Sequence, residues 1–216
     1  MAYEKFNYPV QLNLENQPCL VVGGGAVASR KVRSLLEAGA RVTVVAPDIV
    51  PGLEELSSSS LILEKRPFKP GDCSGFFLVV AATDRPDVNR TVTEDARSCH
   101  CLVNCTDNPD AGNFTVSGSH QCGQLAFAVS TGGNPRLTRL ILDDLRETYG
   151  PQFGEFLSFL DPYRSLMQQC LPRPEDRQAF WRRTLTRNLL QLVKAGQLDK
   201  AKEIVIHAVN SSRTQP

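Results

Sequence analysis

Residues 19–28 are Cys19-Leu20-Val21-Val22-Gly23-Gly24-Gly25-Ala26-Val27-Ala28. The apolar run before the glycines predicts a buried strand, and the apolar residues after them follow helical spacing. The glycines fit the pattern G-x-G-x-x-G/A, in which Gly23 permits a tight turn and Gly25 lets a pyrophosphate approach the backbone. Ala28 is small enough for the helix to pack on the sheet. This strand, loop and helix predict a Rossmann-type dinucleotide-binding unit whose helix N-terminus faces the phosphates.

Strands and helices continue to alternate through the first half of the chain. Apolar and β-branched runs predict strands at 41–46, 61–65, 76–81 and 102–105, with helices at 52–60 and 87–99. Strands that alternate with helices form a parallel sheet with right-handed crossovers. We therefore expect an α/β fold with a Rossmann-type parallel sheet over residues 1–112.

The pattern changes after Asp107. Strands are predicted at 113–116 and 125–130, and the segment between them is too short for a crossover helix, so we expect an antiparallel pair. Helices are predicted at 135–147 and from residue 151 onward, where Phe180, Trp181, Leu185 and Leu189 share one face. The last helix is predicted at 198–209, and a frayed tail at 211–216 follows it. The expected architecture is thus the Rossmann-type domain, a small α+β region at 113–149 and a C-terminal helical domain at 150–216.

The composition is that of an ordinary globular protein, with 41% hydrophobic and 22% charged residues. No apolar run approaches the ~20 residues that a membrane-spanning helix needs, and residues 1–14 lack the pattern of a secretory signal. Seven cysteines, an odd number, favour reduced thiols over a disulfide framework. We therefore expect a cytoplasmic protein without a membrane partner, and the net charge of +1 argues against a nucleic-acid partner.

An arginine-rich stretch between residues 161 and 187 has two interpretations. It contains six arginines and three acidic residues: Arg164, Arg173, Arg177, Arg182, Arg183 and Arg187, with Asp161, Glu175 and Asp176. Charge runs of this kind are commonly solvated helix faces. The same stretch would also suit a surface that receives a polyanionic small molecule.

One part of the dinucleotide fingerprint is missing. An acidic residue usually ends the second strand and holds the ribose hydroxyls, whereas this chain has Val45-Ala46-Pro47 there, and Asp48 comes slightly late. No arginine follows closely to favour a 2′-phosphate. The sequence therefore favours NAD and leaves NADP open as the alternative cofactor.

Several segments, taken in order, resemble the precorrin-2 dehydrogenases, which form the N-terminal module of siroheme synthases. They are Val21 to Lys31, similar to the family's VVGGGxVAxRK opening, then Leu35 to Pro47, Ala81-Ala82-Thr83-Asp84 with Val88-Asn89, Val103 to Asp107 with Asn113-Phe114, and Ser130-Thr131-Gly132-Gly133. This ordered set, which runs from about Tyr8 to Arg146, is far more specific than any single motif.

The resemblance implies an enzyme that oxidises precorrin-2 to sirohydrochlorin with NAD. It also implies a homodimer, with residues 113–149 as its dimerisation region. Some members of the family insert ferrous iron as well, so a ferrous or cobalt ion is a candidate substrate for chelation. Two alternatives are an NAD-binding regulatory module without catalysis and a dehydrogenase of another small substrate.

Site residues follow from the resemblance. Asp107 matches the catalytic aspartate, and its place after a strand end suits a general base, although it could instead cap the turn that follows. The expected cofactor-binding residues are Gly23, Gly24, Gly25, Ala26, Val27, Pro47, Asp48, Thr83 and Asp84. For Thr83 and Asp84 the alternative is an ordinary helix cap. The expected substrate-binding residues are Asn104, Ser130, Thr131, Gly132 and Arg136.

Some features depart from the family or carry no expected function. The loop before Pro135 is one residue shorter than is usual in the family, and Ser117-Gly118 replaces a common Pro-Ala pair. The cluster Cys99-His100-Cys101 with Cys105 matches no common zinc spacing, so buried thiols and no protein-bound metal are expected. His120 has no evident partner ligands, so we do not expect it to bind a metal.

Overall fold

A computed structural model describes residues 8–56 and 58–213. The first elements are β1 (Pro18–Val22), α1 (Ala26–Glu37), β2 (Arg41–Ala46), α2 (Pro51–Glu54), β3 (Leu61–Lys65), β4 (Leu78–Ala81), α3 (Pro86–Ser98), β5 (Leu102–Cys105) and a short 3₁₀ helix (Pro109–Ala111). The later elements are β6 (Gly118–Cys122), β7 (Leu125–Val129), α4 (Pro135–Thr148), α5 (Pro151–Cys170), α6 (Pro174–Thr184), α7 (Arg187–Lys194) and α8 (Leu198–Arg213). Contacts divide the chain into two units, 1–116 and 117–216, which are described separately.

The first unit contains a five-stranded sheet in the order β3-β2-β1-β4-β5, with every neighbouring pair parallel. Chain order reverses on either side of β1, so β1 and β4 flank the switch point at which such sheets bind ligands. Val22, the last residue of β1, is in register with Val45 of β2 and Ala81 of β4. The predicted Rossmann-type parallel sheet is confirmed.

Both faces of this sheet are covered, which explains why its central strands are apolar throughout. On one face Val21, Val44 and Val80 pack with Val32 of α1. On the other face Leu20, Val79 and Val103 join a cluster that includes Val92 of α3. Burial of both faces leaves only the strand ends and the loops that follow them for polar chemistry.

Two predicted elements are shorter than expected in the first unit. The helix predicted at 52–60 is reduced to α2, which begins at Pro51 and ends at Glu54. The strand predicted at 76–81 begins only at Leu78. Phe76 and Phe77 form the approach to β4, and the backbone N–H of Phe77 donates to the Pro18 carbonyl 2.9 Å away.

The predicted strand at 113–116 is wrong, and the antiparallel pair consists of β6 and β7. The segment does follow the edge of β5, but a side chain makes much of the contact. The Asn113 amide accepts from the Val103 N–H at 2.7 Å and donates to the Cys101 carbonyl at 3.0 Å. An asparagine side chain thus fills positions that a neighbouring strand would occupy, so no regular ladder forms.

The second unit, as far as the structure describes it, joins the β6–β7 hairpin to helices α4 to α8. Its apolar core includes Phe156 and Met167 of α5, Phe180 of α6, Val193 of α7 and Val205 of α8. The division of this part of the chain at residues 149 and 150 stays a prediction.

Two expectations for the helices of this unit need correction. Phe180, Trp181, Leu185 and Leu189 do not share one helix, because α6 ends at Thr184 and α7 begins at Arg187. The Thr186 hydroxyl accepts from the Leu189 N–H at 3.3 Å and caps the new helix. Residues 211–213 belong to α8 rather than to a frayed tail, and residues 214–216 lie outside the described part. Among the described residues, no helix has the length and apolar character to cross a membrane.

Candidate functional site

The glycine turn between β1 and α1 is packed backbone against backbone. Gly23 has φ +127°, which favours glycine, and its N–H donates to the Val45 carbonyl at 3.0 Å. A Cβ at Gly23 would collide with the carbonyl oxygen of Ala82, and one at Gly24 with that of Asp48. These two glycines are therefore required by the fold itself.

Gly25 differs from its neighbours because the fold does not require it. Its φ of −85° is open to any residue, and an added Cβ would meet no atom of the described residues within 4 Å. It precedes α1 directly, where no side chain caps the helix and no acidic residue lies in the first turn. The N–H groups of Ala26 and Val27 have no acceptor within the helix at this position. Open space beside a helix N-terminus fits a pyrophosphate.

The end of β2 contacts this turn directly. The Val50 N–H donates to the Gly24 carbonyl at 2.9 Å, which ties the loop after β2 to the glycines. Pro47 and Asp48 are exposed and lie between the end of β2 at Ala46 and Val50. Their expected contacts with the cofactor ribose stay a prediction.

Thr83 and Asp84 follow β4 on the other side of β1. The Thr83 hydroxyl donates to the side-chain Oδ1 of Asn89 at 2.7 Å, and the Asn89 Nδ2 donates to the Thr83 backbone carbonyl at 3.1 Å. Asn89 is buried in α3, so this turn is held from inside. The residue at the cap position of α3 is Arg85 and no side chain caps the helix, so the alternative role of Asp84 as a helix cap is wrong. Its contact with a cofactor stays a prediction.

Asp107 lies in the exposed turn after β5. The Cys105 thiol donates to its Oδ1 at 3.1 Å. This bond, followed by smaller contributions from the Asn89 amide and nearby backbone N–H groups, lowers the pKa of Asp107 despite its partial desolvation. Burial raises the pKa of Cys105, so the thiol keeps the proton that it donates. Asp107 is consequently a carboxylate at neutral pH, as a general base must be. Hydrogen bonds from nearby backbone N–H groups to the Asp107 carboxylate would also suit a residue that caps this turn, so that alternative role stays open.

Asn104 supports the segment that follows Asp107. Its side chain is buried and donates to the Phe114 carbonyl at 3.2 Å. Asn104 and Asp107 line a cleft together with Arg30 and Lys31 of α1. Neither cation was among the expected site residues, although both belong to the segment that resembles the family's opening motif. The sequence did contain a signal for these two residues: they are adjacent basic residues on a helix that begins at a phosphate-binding loop.

The remaining expected substrate-binding residues belong to the second unit. Thr131 donates to the Asn134 carbonyl at 2.7 Å, and the Asn134 side chain accepts from the Leu137 N–H at 3.0 Å to cap α4. Ser130, Gly132 and Arg136 are exposed. In the shortened loop the helix start is thus capped internally by Asn134, and the contacts of these residues with a substrate stay a prediction.

The cysteines and histidines form no evident metal site. Within residues 8–56 and 58–213, no group of three or more His, Cys, Asp or Glu residues could hold a metal ion. The Cys101 thiol instead donates to the Phe76 carbonyl at 3.0 Å. The His120 ring stacks on Phe127, and its Nε2 lies 3.4 Å from the Tyr149 carbonyl.

Two family models match the chain. A model described as "Putative NAD(P)-binding" matches residues 10–118, and one described as the sirohaem synthase dimerisation region matches residues 152–209. The first covers half of the chain and coincides with the sheet that carries the glycine turn.

Similar proteins are siroheme synthases. The chain is 35% identical to that of Methylococcus capsulatus over 209 residues, which are 96% of this chain and 44% of the relative. It is 34% identical to that of Nitrosomonas eutropha over 97% of this chain and 44% of the relative. The chain therefore spans less than half the length of these relatives.

A solved structure is similar along nearly its whole length. It is that of SirC, a precorrin-2 dehydrogenase, with a TM-score of 0.71 and 28% sequence identity. The match covers 94% of this chain and 98% of SirC. Family models, relatives and fold agree with the order of motifs in the sequence, and the chain belongs to the family of precorrin-2 dehydrogenases and siroheme synthase N-terminal modules.

Proposed function

We propose that this protein oxidises precorrin-2 to sirohydrochlorin with NAD. One observation carries the proposal: an open glycine cradle and an ionised aspartate lie at the carboxyl ends of parallel strands in one sheet. Ligands of open α/β sheets bind at this edge. The likeness to SirC supports precorrin-2 as the substrate.

The proposed reaction needs a hydride acceptor and a proton acceptor. NAD bound at the glycine turn would supply a nicotinamide that takes the hydride from the macrocycle. Asp107 is exposed and ionised, so it can take the proton that leaves the ring system. The buried Cys105 and Asn104 hold the turn and the segment around this carboxylate.

NADH formation from precorrin-2 and NAD under anaerobic conditions tests the proposal. A rise in absorbance at the NADH band is expected, together with the sirohydrochlorin spectrum. NAD binding without turnover would instead support a regulatory module. Turnover of a different small substrate alone would support another dehydrogenase.

Chelation of ferrous or cobalt ion is proposed as a second activity of the same site. Its support is that Asp107 offers exposed carboxylate oxygens beside the cleft in which the product would form. Siroheme synthase relatives are consistent with such an activity. Product spectra with and without ferrous iron would distinguish siroheme from free sirohydrochlorin.

We also propose that the protein is a cytoplasmic homodimer. The cysteines of the described residues are all free, which suits a reducing compartment. On α4, Leu137, Leu140 and Ile141 form an exposed apolar face at i, i+3 and i+4. Apolar faces of this kind commonly mark contacts between subunits.

Gly25→Ala should weaken NAD binding while leaving the fold intact. The added methyl group meets no protein atom within 4 Å but occupies the space proposed for the pyrophosphate. We expect the Kd for NAD to rise about tenfold or more, ~1.4 kcal/mol, with a loss of about 1 kcal/mol in unfolding free energy because alanine is a poorer cap. Titration calorimetry and thermal melts measure the two effects. Gly52→Ala is the matched control, and an unchanged Kd in Gly25→Ala would contradict the cradle.

Asp107→Asn should lower kcat by about 100-fold or more, because the neutral amide cannot accept the proton. NAD affinity should stay unchanged, since the substitution does not touch the glycine turn. Anaerobic NADH assays and an NAD titration test both statements. Full activity in Asp107→Asn would show that another group takes the proton.

Cys105→Ala should shift the acidic limb of the kcat/KM profile to higher pH. The thiol stabilises the ionised form of Asp107, so its removal raises the pKa of that carboxyl and protonates the base earlier as pH falls. Cys105→Ser keeps a donor and should retain a profile close to wild type. An identical acidic limb in wild type and Cys105→Ala would contradict this coupling.

Leu140→Glu should convert the dimer to a monomer, because a carboxylate would be buried in the proposed interface without a partner. The side chain is 50% exposed in the single chain, so the protomer itself should remain folded. Sedimentation velocity measures the mass of each species. Ile62→Glu, at an exposed apolar position of β3, is the control that should leave the mass unchanged.

A further inference from the structure

Helix α1 presents a mixed apolar and cationic face to the cleft beside Asp107. Val27, Arg30 and Lys31 stand at i, i+3 and i+4, so they share one face of the helix. They line a cleft of about 380 Å³ together with residues 104–107 and the segment that follows. All of these residues belong to the first unit.

The two cations in this cleft, Arg30 and Lys31, have no partner among the residues that the structure describes. Within the described ranges, the side chains of Arg30 and Lys31 form neither a hydrogen bond nor an ion pair. Two other cations of the same unit do have partners: Arg33 donates to the Gly52 carbonyl at 2.7 Å, and Arg66 binds Asp72 at 2.6 Å. The free donors of Arg30 and Lys31 are thus available to a ligand.

Lys31 is also half-buried, which makes its lack of a counter-ion costly. Burial lowers its pKa, and the neighbouring charge of Arg30 lowers it further. An anion bound between the two would stabilise both charges. Two like charges held together, for which no ion pair forms among the described residues, therefore favour an anionic ligand over a role in folding.

The apolar residues of the cleft narrow the class of anion. Val27 is 41% exposed and Val116 is 57% exposed, which leaves apolar surface open beside the cations. A simple phosphate would make no use of that surface. A flat apolar ring with carboxylates at its periphery matches both features.

We propose that Arg30 and Lys31 bind peripheral carboxylates of the tetrapyrrole and thereby hold its ring next to Asp107. The identity of the ligand rests on the function proposed above. Recognition of carboxylates is thus assigned in part to the first unit. In the arginine-rich stretch of the second unit, two members already have protein partners: Arg173 binds Asp176, and Arg177 donates to the Leu171 and Pro172 carbonyls.

The test compares Lys31→Gln and the double variant Arg30→Gln/Lys31→Gln with wild type. The Kd for sirohydrochlorin, followed by its absorbance, should rise about tenfold in the single variant and further in the double variant, because charge-assisted hydrogen bonds are lost. The KM for precorrin-2 should rise in parallel while kcat at saturation stays within about twofold. Lys31→Arg keeps the charge and should restore most of the affinity.

Lys69→Gln is the matched control for loss of one positive charge. Lys69 is exposed in the same unit and lies outside the cleft lining. Its sirohydrochlorin affinity should equal that of wild type. A thermal melt of each variant verifies that the protein is folded.

Two further measurements, a dinucleotide titration and an NADH assay, distinguish failure of this inference from failure of the proposed function. Weaker binding of NAD or NADP with unchanged sirohydrochlorin affinity would assign the cations to dinucleotide phosphates and overturn the inference. Wild-type sirohydrochlorin affinity in the double variant would also overturn it. Absence of NADH formation by wild-type protein would refute the proposed function, whereas the sirohydrochlorin titration would still judge the role of Arg30 and Lys31.

Discussion

The close approach of backbone segments at Gly23 and Gly24 is the constraint on which the first unit depends. At these glycines the chain passes against the carbonyl oxygens of Ala82 and Asp48, where no side chain could fit. This contact brings the ends of β1, β2 and β4 together. It also sets where α1 begins, and therefore which residues of α1 reach the cleft beside β5.

A division of roles follows within the glycine turn. Gly23 and Gly24 serve packing, whereas Gly25 faces open space and has an ordinary backbone conformation. Glycine patterns combine positions needed by the fold with positions needed by a ligand, and only the second kind indicates function. The space at Gly25 is consequently stronger support for dinucleotide binding than the presence of three glycines.

The chemistry around Asp107 depends on side chains near the end of β5, of which Cys105 and Asn104 are buried and Asn113 is exposed. The Cys105 thiol stays protonated because burial opposes its ionisation, and it therefore remains a donor to the carboxylate. Asn104 and Asn113 fasten the following segment to β5 with side-chain amides. These bonds also explain why that segment is not the strand expected from its composition: side-chain groups satisfy the edge of β5 and no ladder continues.

Local pattern was sufficient for the β-α-β alternation, the parallel sheet and the glycine turn, because each depends on residues that are neighbours in the chain. The ordered motifs also singled out Asp107. Tertiary structure alone decided that β6 pairs with β7, that Cys105 donates to Asp107, and that Arg30 and Lys31 line one cleft with no partner in the described part of the chain. Those features arise where distant segments meet, and the burial and hydrogen bonding created there have no signature in sequence periodicity.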